Sequence, residues 1–228
     1  MSGAGPRVAV YYAPAADDPL AEAGAAWLGR DAETGAPLSQ PPIEGIAEVT
    51  AAPRLYGFHA TLKPPMRLAD GVSYAALEDA ARALAGGIAP FTLPPLAVAD
   101  VHGFLALRET EPCPALQALA DLCVAWLDPL RAPPAPEELA RRRRAGLSAA
   151  QEALLRRWGY PYVFGAWFFH LTLTRRLDPA ERGPWIAATR AHLAAALAVP
   201  CQVSAICLFT QARPDQPFRL ATRLPLLG

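Results

Sequence analysis

The chain has 228 residues, 53% of them hydrophobic and 18% charged, with a formal net charge of zero. That length suits one large domain or two intimate lobes, and the apolar content is ample for a core. The charge balance excludes the broad basic footprint that long nucleic acid requires, and leaves a small or short anionic ligand held locally.

Arg7 to Tyr12 (RVAVYY) reads as a first strand. Asp17-Asp18-Pro19 opens a helix that continues to Leu28, and residues 31–50, rich in Pro and Gly, read as an irregular loop. Residues 56–65 (YGFHATLKPP) form a strand that Pro64-Pro65 should stop. Ser73 opens a helix to about Leu84, ended by Gly86-Gly87. Residues 91–101 and 104–108 make a hairpin turning at His102-Gly103. Residues 113–130 are a helix whose apolar stripe runs Leu116, Leu119, Leu122, Cys123, Trp126, Leu127. Residues 131–136 read as a linker between two halves, and 137–158 as one basic helical insertion. A strand from Trp167 to Arg175, a helix capped at Asp178-Pro179 and running to Ala198, and a hairpin over 202–210 and 218–224 complete the chain. His192 falls inside that helix as a packing or surface residue, and His102 is a turn residue. The succession of strand, helix, strand, helix, hairpin nearly recurs, so the chain reads as one two-lobed domain with lobes at 1–110 and 111–228.

Two stretches carry the chemistry: Phe58-His59-Ala60-Thr61-Leu62 and Phe169-His170-Leu171-Thr172-Leu173, separated by nearly half the chain. Only four histidines exist, and two fall here. On a strand, side chains alternate. His59, Thr61 and Lys63 then share one face, as do His170, Thr172 and Thr174, opposite apolar faces fit for a core. One His-x-Thr is ordinarily a structural pair. A second copy at half-chain spacing points to equivalent strands about a pseudo-two-fold axis, facing one polar cleft.

Two histidines can divide acid and base work near neutral pH. A phosphodiester suits them, because its attacking and leaving oxygens lie roughly in line across phosphorus. Thr61 and Thr172 would donate to the non-bridging oxygens. Lys63, the only lysine among 21 basic residues, would offset their charge. Tyr56, Thr174, Tyr162 and the run Arg141, Arg142, Arg143, Arg144 are further candidates for substrate contact. There is no Gly-x-Ser-x-Gly elbow, no Walker loop and no Gly-x-Gly-x-x-Gly. Carboxylates do not cluster at either motif, so neither metal nor cofactor is expected. The four cysteines (113, 123, 201, 207) lack metal-site spacing and read as buried free thiols. With no leader-like N-terminus and no apolar run of bilayer length, a cytoplasmic protein without a membrane partner is expected. The sequence carries no signal for an oligomeric state.

Paired His-x-Thr-hydrophobic motifs, one per half of a chain this size, resemble the two-histidine (2H) phosphoesterase superfamily of 2′-5′ RNA ligase-like proteins and cyclic phosphodiesterases. The resemblance implies an α+β fold: a two-lobed pseudo-two-fold duplication of β-α-β units with antiparallel sheets around a central cleft. It also implies metal-independent opening of cyclic phosphates by His59 and His170 with Thr61 and Thr172. YGFHATLKPP (56–65), WGYPYV (158–163) and FHLTLT (169–174) resemble a branch associated with phosphonate-metabolism operons. The substrate so implied is a cyclic phosphate of a small sugar phosphate such as ribose 5-phosphate. A short RNA end with a 2′,3′-cyclic phosphate, contacted by Arg141–Arg144, and a non-catalytic phosphate-binding module are the alternatives.

Overall fold

Val8, Val10 and Tyr12 on one face and Ala9 and Tyr11 on the other give the first strand two apolar sides, so it belongs inside a sheet with both faces covered. In the computed structural model, which describes residues 5–144 and 146–228, this segment is β1 (Arg7–Tyr12), second from the edge of a four-stranded sheet. Asp18 caps α1 (Pro19–Leu28) by accepting from the Leu20 N–H, and Gly29 ends it in the left-handed conformation. Two single turns, α2 (Ile46–Val49) and α3 (Ala51–Arg54), interrupt and follow the irregular segment. Next come β2 (Ala60–Met66) and α4 (Tyr74–Gly86), then β3 (Phe91–Thr92), β4 (Leu96–Val101) and β5 (Phe104–Glu109). They are followed by α5 (Pro114–Leu127), α6 (Pro136–Arg143), α7 (Ala149–Trp158), β6 (Leu171–Arg176), α8 (Pro179–Leu197), β7 (Gln202–Val203), β8 (Ala205–Gln211) and β9 (Arg219–Pro225).

The sheets run β2-β1-β8-β9 and β4-β5-β6, with β3 paired to β7, every pairing antiparallel. Two repeating units emerge: β1-α1-β2-α4-β3-β4 and β5-α5-β6-α8-β7-β8. In each sheet a motif strand occupies one edge, its own unit's first strand lies beside it, and the next strand comes from the other unit. β9 extends the first sheet beyond this symmetry, and the β3–β7 pair joins corresponding strands. This is the two-lobed antiparallel duplication expected, but the lobes do not divide at residue 110. Each sheet draws strands from both sides of it, and the units meet at the His102-Gly103 turn, where both residues have positive φ (50° and 97°). Residues 131–136 therefore connect α5 to α6 within the second unit. They are tied down where Ala132 N–H donates to the Arg67 carbonyl at 2.8 Å.

Three local readings need correction. β2 continues through Pro64 and Pro65 to Met66. It is an edge strand with a register shift there (Val8↔Met66, Val10↔Lys63), and an outward bulge is where a sheet tolerates proline. The 137–158 segment is two helices, not one. Gly146 takes a left-handed φ of 73°, and Ser148 opens α7 with a capping box to Gln151. Ala145, between them, lies outside the described residues. On α5, Leu122 and Trp126 are exposed, and the buried stripe is Leu116, Leu119, Ala120, Cys123, Val124 and Leu127.

One large core joins the helices to both sheets, and a smaller one (Ala9, Tyr11, Ala13, Cys207, Phe209, Phe218, Leu220) lies on the other face of the first sheet. His192 packs α8 on α1, its Nε2 at 2.9 Å from the Ala23 carbonyl. The four cysteines are free. Among the described residues no helix is long and apolar enough to cross a membrane, and no cluster of three metal-ligating side chains occurs.

Candidate active site

His59 and His170 each sit one residue ahead of a motif strand, where the chain leaves a turn and enters the sheet edge. The first turn requires Gly57: its φ is 82°, and an added Cβ would stand 2.7 Å from the Ala32 Cβ. That turn presents the Gly57 carbonyl to His59 Nδ1 at 2.9 Å, and the Phe168 carbonyl meets His170 Nδ1 at 3.1 Å. In both copies the ring therefore donates through Nδ1 to a carbonyl two residues back. This fixes the tautomer and leaves Nε2 as the working nitrogen. Each motif strand, as a sheet edge, has a carbonyl taken by an indole: Trp167 Nε1–H donates to Thr61 at 2.8 Å and Trp27 Nε1–H to Leu173 at 3.0 Å.

His59, Thr61, His170 and Thr172 line one cleft of about 780 Å³. The Thr61 hydroxyl is 3.4 Å from His59 Nε2. His59 stacks on Tyr11 with ring centroids 3.7 Å apart, and His170 lies against Phe168 and Phe104. Burial pushes His59 down to about 4, and the charges of His170 and Arg30 add to the fall against the Gly57 carbonyl, which raises it. Burial also lowers His170. There the Phe168 carbonyl and the Glu109 carboxylate favour the charged ring, while Arg108 opposes it.

The other candidates divide. Tyr56, Arg141 and Arg142 line the cleft. Arg143 turns away to pair with Glu152 at 2.9 Å, and Arg144 is exposed outside it. Tyr162 does not line it; its neighbour Tyr160 does, and the two rings meet edge to face. Lys63 is turned from the cleft. Tyr11 opposes Thr61 while the adjacent Val10 opposes Lys63, so Leu62 is an extra residue that flips the alternation. Lys63 is 2% exposed and donates to the Val124 carbonyl at 3.0 Å and to Asp128 at 3.3 Å. Thr174 reaches the cleft floor, but its hydroxyl is committed. It accepts from the Leu105 N–H at 2.9 Å and donates to the Arg175 carbonyl at 2.8 Å, satisfying a backbone group freed by a bulge in the β5–β6 ladder.

Arg7, Tyr11, Tyr160, Phe104, Arg67 and Arg176 also line the cleft and were not singled out from sequence. Arg7 carried one signal, as the lone charge in an otherwise apolar strand. Tyr11 carried none, since β1 is apolar on both faces. The cleft holds five arginines against Glu137 and Glu138, in a chain of zero net charge.

A family described as "Protein of unknown function (DUF1045)" matches residues 61–219. Two curated relatives, both named ribose 1,5-bisphosphate phosphokinase PhnN, come from Janthinobacterium sp. (strain Marseille) and Laribacter hongkongensis (strain HLHK9). Each is 41% identical over 97% of this chain, which covers 51% and 52% of their lengths. The chain thus spans about half the length of the curated relatives it matches. A solved phosphoesterase and E. coli LigT in apo form align over 97% and 98% of this chain and 99% of theirs, at 15% identity with TM-scores of 0.43 and 0.42.

Proposed function

The chain belongs to the DUF1045 family, and from that premise we propose that it is a metal-independent phosphodiesterase opening a cyclic phosphate of a small sugar phosphate. The observation that carries the reading is the pair of half-buried histidines, each held through Nδ1 by the carbonyl two residues back, lining one cleft with Thr61 and Thr172. His59, kept neutral at Nε2, takes a proton from water. The water oxygen bonds to phosphorus, the bond to one ring ester oxygen breaks, and His170 as imidazolium gives its Nε2 proton to that oxygen. A phosphomonoester results. This division follows the surroundings: burial takes His59 down to about 4 and every charge near it disfavours its cation, whereas at His170 the Glu109 carboxylate works against the Arg108 charge. Thr61 and Thr172 donate to the non-bridging oxygens.

The named activity of the relatives suggests the sugar. This sequence holds no Gly-x-x-x-x-Gly-Lys loop, so we attribute their phosphotransfer to the half this chain does not match. A cyclic phosphate anchored on O1 of ribose 5-phosphate, opened by breaking the bond from phosphorus to its other ring ester oxygen, keeps its phosphate on O1 and would yield a ribose 1,5-bisphosphate, the compound in their name. Phosphorus-31 NMR tests the reading on that ester, on nucleoside 2′,3′-cyclic phosphates and on an RNA 2′,3′-cyclic end. A cyclic resonance should give way to a monoester, unaffected by EDTA and absent with His59→Ala. Activity abolished by EDTA and restored by one divalent ion would replace this mechanism with a metal-based one. Turnover of the RNA end alone would move the substrate to RNA.

A further inference from the structure

Three tyrosines from three separate elements meet in the cleft beside His59: Tyr11 on β1, Tyr56 ahead of β2, and Tyr160 between α7 and β6. Tyr11 and Tyr56 both pack around Phe218, with centroids 6.2 and 5.4 Å away. Arg7 lies over that same ring at 5.4 Å, and Arg142 over the Tyr160 ring at 4.6 Å. Tyr11 is 1% exposed, and a buried phenol ordinarily finds a hydrogen-bond partner. Among the described residues, none of the three hydroxyls has one. Arg142 likewise has no carboxylate partner there, and its Nε is buried without an acceptor. Its neighbours on α6 are engaged, Arg141 with Glu138 and Arg143 with Glu152. Arg7 gives Nε and Nη2 to Gln211, leaving Nη1.

Tyr11 is buried with one face on His59, so what it offers the cleft is the hydroxyl edge, and Tyr56 has one face on Phe218. Three hydroxyl donors and two guanidiniums suit a compact, doubly charged group with several acceptor oxygens. Burial holds Tyr11 and Tyr160 above the ordinary phenol range, so both keep their protons at neutral pH.

We propose that Tyr11, Tyr56, Tyr160, Arg7 and Arg142 form a subsite for a phosphomonoester, the non-reacting phosphate of the substrate, beside the two histidines. This rests on the phosphodiesterase reading, but it is testable without turnover. Titration calorimetry with ribose 5-phosphate and with ribose, on the wild type, Tyr160→Phe and Arg142→Gln, reads the subsite directly. The wild type should bind the phosphate and not the free sugar, and each variant should lose about tenfold in affinity, the scale of one hydrogen bond to a charged group. Tyr160→Phe keeps the ring under Arg142, and Arg142→Gln alters a helix surface, so a thermal melt should match the wild type. Kinetics then compare a nucleoside 2′,3′-cyclic phosphate with and without a 5′-phosphate, where the variants should raise KM only for the substrate that carries the 5′-phosphate. Ribose 5-phosphate binding that is absent, or unchanged in both variants, overturns the subsite even if cyclic esters are opened. Binding lost as expected, with no cyclic ester opened, upholds the subsite and sinks the phosphodiesterase reading.

Discussion

Opposite Thr61 on the neighbouring strand stands Tyr11; opposite Thr172 stands Ala106. At the level of single residues this is where the two motifs cease to be equivalent, because an aromatic ring lies under one histidine and a methyl group occupies the matching position. His59→Ala and His170→Ala should each lower kcat/KM by ~10²–10⁴-fold, and the double variant should be scarcely worse, since the pair acts as a unit. A base must be unprotonated and an acid protonated. The rate should therefore rise as pH climbs through about 4, where His59 loses its proton. It should fall again below the ordinary histidine value, where His170 loses its own. A kcat/KM profile peaking on the alkaline side of neutrality would abolish this scheme, its limbs belonging to the pair. Lys63 belongs to stability. Burial holds it near 8, against an ordinary 10.5, with Asp128 opposing the fall. Between those values the unfolded chain carries a proton the folded one lacks, so stability from this residue rises with pH across that window. Lys63→Met should remove the rise in denaturation free energy and leave kcat/KM unchanged. A drop in activity would return Lys63 to the cleft.

Among the elements, His59, Thr61, His170 and Thr172 were legible in the sequence because the strand period holds as far as Thr61 and Thr172. Lys63 was misassigned because it lies just past a bulge, and nothing in a single sequence marks where a ladder gains an extra residue; Thr174 keeps to the cleft side, but the irregularity in its own ladder commits its hydroxyl to backbone groups. α1 and α4 were legible for the opposite reason, since their boundaries are set by local caps at Asp18, Gly29 and Ser73. The basic segment hid its break because Gly146 reads as one weak residue within a helical composition until its left-handed φ is known. Thr174→Val tests the bulge. It removes the acceptor for the buried Leu105 N–H, which should cost about 1–3 kcal/mol and lower Tm by several degrees in calorimetry, with KM little changed. An unaltered Tm with a raised KM would make Thr174 a ligand contact after all.

Across the whole molecule, the repeat was visible as a pattern, but its boundary was not, because β5 reads equally well as the end of one hairpin and as the first strand of the next unit. Residues 1–130 lack β8, β9 and β6, and residues 131–228 lack β1, β2, β4 and β5, so neither fragment holds a complete sheet. Each alone should show no near-ultraviolet circular dichroism of fixed side chains, and co-expression should restore both the signal and the fold. A fragment that folds alone would mean that the sheets can be completed without the exchange.

That exchange has a consequence for ancestry. A single unit, obliged to lend its last strand, could have closed both sheets only by trading strands with an identical copy. The progenitor would then have been a swapped homodimer, with one histidine from each subunit facing the other across an axis of symmetry. Such a site cannot hold two different proton affinities by design, because any mutation appears twice. Joining the copies into one chain would free each position to drift alone, as the tyrosine beneath His59 and the alanine at the matching position near His170 now differ.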